Sequence, residues 1–214
     1  EDGQPVPGKA VDVSLFKRTW NTLKKKNVDS DFYYENNFED ILVENKSVVT
    51  DSKGYAQAIF TAKDGGNFKA SAQAKDSKGN KISASTTVYV SSSEFVNWGR
   101  ENNDRIELVP DKQEYKPGDT AHILVKSPYQ NVWALVTQER ERVLEKKVLK
   151  ITSNSHTLDI PITKSAIPNI FVSVLLVKGD TFDAGLQEPP LGENDERSVA
   201  AFKMGYTTLR VDTE

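Results

Sequence analysis

Short segments of alternating apolar residues, each closed by an Asp/Gly turn, constrain this chain more than any other feature. Ala10-Val11-Asp12-Val13-Ser14-Leu15-Phe16 puts Val11, Val13 and Leu15 on one face of a strand, because successive side chains of an extended chain point to opposite sides. Tyr55–Phe60, Asn67–Ala74 and Ile82–Val90 read as further strands. The breaks between them are Asp51-Ser52-Lys53-Gly54, Asp64-Gly65-Gly66 and Asp76-Ser77-Lys78-Gly79-Asn80. Glycine supplies positive φ there, and aspartate folds its carboxylate back onto the backbone of the turn. Strands spaced in this way, at about 8–12 residues, indicate a β-sandwich. Between Trp20 and Val49 the alternation is weaker. Phe32-Tyr33-Tyr34 and Ile41-Leu42-Val43 are expected as short strands joined by a polar connection, and Lys24-Lys25-Lys26 as a solvated turn.

Ser91-Ser92-Ser93 to Asn103 is polar and small and reads as a linker. After it a second series begins: Ile106–Val109, Ala121–Lys126, Val132–Glu139, Val143–Ile151, Thr157–Ile162, Ile170–Val177 and Thr207–Val211. Seven strands is the count of a constant-type immunoglobulin-like sandwich. The fold class expected is therefore all-β, with two tandem sandwich domains over residues 1–98 and 99–214 and a boundary near 92–104. A chain of 214 residues suits two domains of about 100 residues each. The continuous runs Ile123-Leu124-Val125 and Val174-Leu175-Leu176-Val177 are expected to be covered on both faces.

Composition removes several functions. The 28 basic side chains against 31 acidic ones give a net charge of −3, with neither half a charged arm. That leaves no electrostatic case for nucleic acid or an anionic membrane. No apolar stretch approaches the roughly 18 residues of a spanning helix, so membrane insertion of this piece is not expected. The start, Glu1-Asp2-Gly3-Gln4-Pro5, has none of the charge and hydropathy pattern of a signal peptide. With no cysteine there is no disulfide, thiolate metal site or cysteine nucleophile in the chain.

The remaining chemistry is sparse. His122 and His156 fall outside any metal-ligand spacing, and Ser127, Ser173 and Ser198 lack a nucleophile-elbow context. The turns at Asp51 and Asp76 lack the ligand spacing of an EF-hand calcium loop. No catalytic residue, metal site or cofactor is expected, and the chain does not read as an enzyme. Charges are interleaved, as in Gln138-Glu139-Arg140-Glu141-Arg142, which is the pattern of a solvated surface. Trp98 sits in the linker and is a candidate interdomain anchor, since aromatics are enriched at interfaces. Residues 179–200 interrupt the strand rhythm with Gly185, Pro189, Pro190, Gly192 and the acidic run Glu193-Asn194-Asp195-Glu196. A structureless connection of about 20 residues is uncommon in a compact domain and is usually functional or disordered.

The sequence Tyr115-Lys116-Pro117-Gly118-Asp119-Thr120-Ala121, set between Leu108-Val109-Pro110-Asp111-Lys112 and Ile123-Leu124-Val125-Lys126-Ser127-Pro128, resembles the macroglobulin domains of the bacterial alpha-2-macroglobulin family. Ala134–Arg140, Ile160-Pro161-Ile162, Pro168–Val174 and Lys203–Val211 continue the resemblance in order. Asp2–Gly8 and Thr50–Ala56 resemble the family more loosely. One or two strands precede the first of these in the family, so the first domain is expected to be truncated at its N-terminus.

The resemblance implies macroglobulin sandwiches from a broad-spectrum endopeptidase inhibitor, in which a protease cuts a bait segment and is trapped as the molecule rearranges. It implies target proteases and neighbouring macroglobulin domains as partners of the full-length parent. It also implies an extracellular, periplasmic or cell-surface location within a larger secreted or lipid-anchored protein. Any thioester lies outside this cysteine-free piece. Domain 2 resembles the region associated with the bait-region domain, which makes 179–200 a candidate protease-accessible segment, with Phe182, Leu186, Leu191 and Arg197 as cleavage-side residues. A surface loop without inhibitory role is weighted above that reading. A tandem immunoglobulin-like module for adhesion or carbohydrate binding is the alternative function.

Overall fold

Asp/Gly turns and alternating segments produce hairpins throughout the computed structural model, which describes residues 4–26, 32–99, 103–179 and 200–212. Contacts divide the chain into two units, one of Glu1–Val90 with Asn97–Gly99 and one of Ser91–Val96 with Arg100–Glu214.

In the first unit, β1 (Ala10–Lys26), β2 (Phe32–Val49), β3 (Gly66–Lys75) and β4 (Lys81–Val90) form one antiparallel sheet in the order β2-β1-β3-β4. The turn chemistry is as the sequence implies. Asp76 Oδ1 accepts the backbone N–H groups of Lys78 and Asn80, each at 2.8 Å, and Gly79 takes φ +85°. Asp51 Oδ1 does the same for Lys53 and Tyr55, with Gly54 at φ +78°.

Two expectations are corrected here. Lys24-Lys25-Lys26 is no turn: β1 runs through it, and β2 is a single 18-residue strand paired with β1 as far as Lys26↔Phe32. β3 accompanies β1 only between Asp12 and Arg18, so among the described residues the distal ribbon has no third strand beside it on that side. Polar cross-strand pairs sustain it, including Thr22 Oγ1 donating to Asn36 Oδ1 at 2.8 Å and a Lys25–Glu35 ion pair. Such pairs carry no apolar periodicity to read. Tyr55–Phe60 is the second correction. It has no assigned strand, and Tyr55 and Ile59 face solvent.

The second unit holds β5 (Leu108–Pro110), β6 (Glu114–Tyr115), β7 (Thr120–Lys126), β8 (Val132–Arg140), β9 (Arg142–Ile151), β10 (Ser155–Pro161), β11 (Asn169–Lys178) and β12 (Ala201–Val211). A three-stranded sheet, β10-β7-β5, and a five-stranded sheet, β6-β12-β11-β8-β9, contribute to one core. All seven expected strands of the second series are present, with the two-residue β6 in addition. Ile123 and Val125 from one sheet and Val136, Val172, Val174 and Leu209 from the other are buried in that core. Ile123-Leu124-Val125 is buried throughout, as its continuous apolar run suggests. Val174-Leu175-Leu176-Val177 instead alternates, with Val174 and Leu176 buried and Val177 exposed.

Candidate functional site

The turn between β5 and β7 is a small hydrogen-bonded structure built on Asp111. Its Oδ1 accepts the Tyr115 hydroxyl at 2.8 Å and the His122 backbone N–H at 2.9 Å, while the Lys112 N–H donates to Tyr115 Oη at 3.1 Å. Burial, with the neighbouring carboxylate, pushes the Tyr115 hydroxyl up to about 12. For Asp111 burial acts upward, and the hydrogen bonds from His122 N–H and the Tyr115 hydroxyl outweigh it, leaving the carboxyl below its ordinary value. Asp119 is also lowered, by the Lys116 N–H and then by the Lys112 ammonium at 3.2 Å. Gly118 turns at φ +100° and donates its N–H to Ile162 O at 2.8 Å. The side chains of Asp111, Lys112, Tyr115 and Asp119 thus all have structural partners, and the motif orders a strand reversal.

The two histidines do not converge. Antiparallel register pairs His122 with Asp159, Nδ1 to Oδ1 at 2.7 Å, on the exposed side of β7 and β10. His156 pairs with Val125 on the opposite side, and burial lowers its pKa. Among the described residues no group of three or more His, Asp or Glu side chains is arranged to hold a metal ion.

The 179–200 segment has a defined mounting. β11 and β12 are adjacent and antiparallel, and their ladder runs from Asn169↔Arg210 to Lys178↔Ala201. The segment therefore leaves one strand and rejoins its direct neighbour, at the end of the five-stranded sheet. Gly179 and Ala200, at its two ends, are exposed. Phe182, Leu186, Leu191 and Arg197 lie outside the described residues. Beside the mounting, Val177 pairs with both Phe202 and Trp133, and all three are exposed. The last expected strand, Thr207–Val211, begins instead at Ala201, directly after the segment. Register alone reveals this bracketing; the alternation of Phe202, Met204 and Tyr206 was the signal that could have extended the strand.

Trp98 packs edge-on against Tyr89 within the first unit, with centroids 6.4 Å apart, and is buried. Its neighbours hold it there. Asn97 Nδ2 donates to Trp20 O at 2.9 Å, and Gly99, at φ +76°, sits against the Trp20 indole, where a Cβ would come 3.0 Å from the ring.

The family model described as the alpha-2-macroglobulin bait region domain matches residues 106–213. An alpha-2-macroglobulin homologue of Nostoc sp. is 24% identical over 167 residues, covering 78% of this chain and 8% of the relative. The chain therefore spans less than a tenth of the curated relative's length. Among solved structures, alpha-2-macroglobulin of E. coli in its native conformation is 17% identical, with a TM-score of 0.40, over 99% of this chain and 12% of that one. The Salmonella protein reacted with methylamine is 15% identical, with a TM-score of 0.35, over 96% and 12%. The family match takes in the whole two-sheeted sandwich from β5 to β12, and by it this chain belongs to the alpha-2-macroglobulin family, in its bait region domain.

Proposed function

We propose that the chain is a domain pair of a broad-spectrum endopeptidase inhibitor that traps proteases, and that residues 179–200 are the stretch a target protease cuts. The observation that carries this reading is the bracketing ladder. Ten register pairs join β11 to β12, so a cut between them severs the connection without removing either strand from the sheet. The sandwich survives, while the tether between Lys178 and Ala201 is lost. Cleavage requires several residues to extend into a protease cleft, and long Pro/Gly/acidic connections are the sites where nicking concentrates. The chain supplies no catalytic group of its own in this scheme. Its role is to present the segment and pass on the change through shifts between domains of the longer protein.

Limited proteolysis with trypsin, chymotrypsin and elastase tests it. The first cuts are expected at Arg197 for trypsin and at Phe182, Leu186 or Leu191 for chymotrypsin. They should come at least roughly tenfold faster than cuts within the ladder, because strand interiors must first open. The nicked protein keeps its β-sheet circular dichroism. First cuts outside 179–200 with every protease would remove the segment from the proposal.

A further inference from the structure

The outer face of the five-stranded sheet is not uniform. Register places Lys150, Trp133, Val177 and Phe202 in one row across β9, β8, β11 and β12. That row lies one residue in from Lys178 and Ala201, where the 179–200 segment departs and returns. Trp133 and Phe202 are 54% and 53% exposed, and Val177 is exposed between them. The next row is apolar throughout, from Val148, 64% exposed, to Met204. The third turns polar at Thr137 and Ser173, and beyond it Phe171 stands between Glu139 and Thr208. Exposed apolar area is thus gathered in the two rows that border the segment. Core packing does not account for it, because the core takes the alternate residues of these strands, such as Val136, Val174 and Leu176. Scattered apolar side chains are ordinary on a surface, whereas a contiguous patch marks a place of interaction.

A protease that takes up residues 179–200 is brought to this patch. Both ends of the segment are tethered, to adjacent strands, at Lys178↔Ala201. Fully extended at about 3.5 Å per residue, its 22 residues carry their midpoint no more than about 40 Å from the sheet. That is close to the diameter of a protease domain of some 250 residues, roughly 45 Å, and each residue drawn into the cleft shortens the tether. The body of the enzyme therefore overhangs this end of the sheet. The inner face there is closed by the core, so the two outer rows are the apolar surface within reach. Their side chains are of the kinds enriched at protein–protein interfaces, Trp, Phe and Met among them. Lys150, and Lys146 beyond it, stand at the margin on β9. Apolar contact is non-directional and suits enzymes with differing surfaces, whereas a strongly charged surface discriminates among them.

We propose that the two rows between Trp133 and Phe202 are an exosite, a docking surface for an apolar patch beside the cleft of the target endopeptidase. The proposal rests on the reading that the protease cuts within 179–200, and adds to it a contact that does not touch the scissile bond. The exosite acts on capture. Docking holds the segment at high effective concentration near the cleft. It is made equally before and during the chemical step, so it lowers KM and leaves kcat unchanged.

Cleavage kinetics on the 214-residue chain test this, with trypsin, chymotrypsin and elastase as probes. Trp133→Ser and Phe202→Ser change exposed side chains and should leave the circular dichroism intact. Together they should raise KM for cuts within 179–200 at least roughly fivefold with each of the three proteases, at unchanged kcat. Phe171→Ser removes the same chemistry about 20 Å away along β11 and should leave KM as in wild type. Chymotrypsin with its active site blocked should still bind a chain whose residues 180–199 are replaced by a Gly/Ser linker of equal length. The Trp133→Ser/Phe202→Ser pair should abolish that binding. Four outcomes overturn the exosite. They are an unchanged KM in the double variant, an equal rise in Phe171→Ser, an effect confined to one protease, and self-association of the chain that the double variant abolishes, which identifies a second copy as occupant. First cuts outside 179–200 instead overturn the reading of the segment, and binding of blocked chymotrypsin to the linker chain then decides the exosite by itself.

Discussion

The two units share a strand order and differ in what that order encloses. In the second, side chains from two sheets meet in a core whose members all lie between Leu108 and Val211, with Ile123, Val125, Val172, Val174 and Leu176 at 0% exposure. In the first, one sheet buries Leu15 and Phe68 but leaves much of its apolar face in water. The first unit's four strands are fully laddered to their neighbours over their shared lengths, and the larger difference lies in apolar area removed from water, at about 25 cal/mol per Å². A sheet with one covered face keeps its hydrogen bonds but gains little of the burial that offsets the entropy of ordering the chain. Paired truncations probe this contrast most directly. Leu176→Ala in β11 should cost about 2–5 kcal/mol, the range for fully buried leucines. Ile82→Ala in β4 should stay within about 0.5 kcal/mol, as exposed substitutions do. Calorimetry on each variant, following the two units as separate transitions, checks both. Equal losses would mean that the first unit has a core comparable to the second.

Close approach of the two sheets is a second point of difference. Gly205 sits where a Cβ would come 2.5 Å from Ile106 O, a backbone atom that cannot rotate away. Gly205→Ala should therefore push β5 off β12 and cost about 1–3 kcal/mol, as overpacking does. In β4 the small residue Ala84 is exposed, and Ala84→Val should be close to neutral. Urea midpoints for the two variants test the comparison, and a destabilised Ala84→Val would show that something already lies against that face.

What could be read from the sequence follows the same division. The second unit's strands were legible because core strands carry apolar periodicity, and the Asp51 and Asp76 turns because carboxylate-to-N–H closure has its own local signature. The full length of β1 and β2 was not legible, since pairs such as Thr22–Asn36 and Lys25–Glu35 stabilise a ribbon without any hydropathy pattern. Tyr55–Phe60 has the composition of a strand, but a strand needs a partner, and pairing is not a local property. The 179–200 segment stood out as an interruption, whereas its bracketing by Lys178↔Ala201 exists only in the register.

The signature turn around buried Tyr115 gives a smaller effect confined to the second unit. Asp111→Ala leaves the Tyr115 hydroxyl, on a residue 1% exposed, and the His122 N–H without their acceptor, at about 1–2 kcal/mol. The pH dependence has a definite sign. Asp111 titrates below its unfolded value, so its contribution is complete above the ordinary carboxylate range and is lost as pH falls through the depressed folded value. Wild type and Asp111→Ala should therefore differ most near neutral pH and converge in acid. Thermal midpoints of the second transition, measured from neutral to acid pH, read this directly, and a gap that persists unchanged into acid would contradict it.

The first unit's counterpart is the polar network on the other face of its sheet, and it should matter least. Arg18 donates to Asp40 through Nε at 2.8 Å and Nη2 at 3.0 Å, and its guanidinium lies 3.9 Å from the Phe38 ring centroid. Lys69 reaches the same carboxylate at 3.4 Å. The hydrogen bond from Arg18, ahead of its charge, holds Asp40 below its usual range. Bidentate geometry favours the pair, but both side chains keep part of their solvent, at 24% and 20% exposure, and solvent screening limits such pairs to under about 1 kcal/mol. A double-mutant cycle of Arg18→Ala and Asp40→Ala should return a coupling of that size, shrinking as salt is raised. A larger, salt-insensitive coupling would mean that the pair is shielded from water.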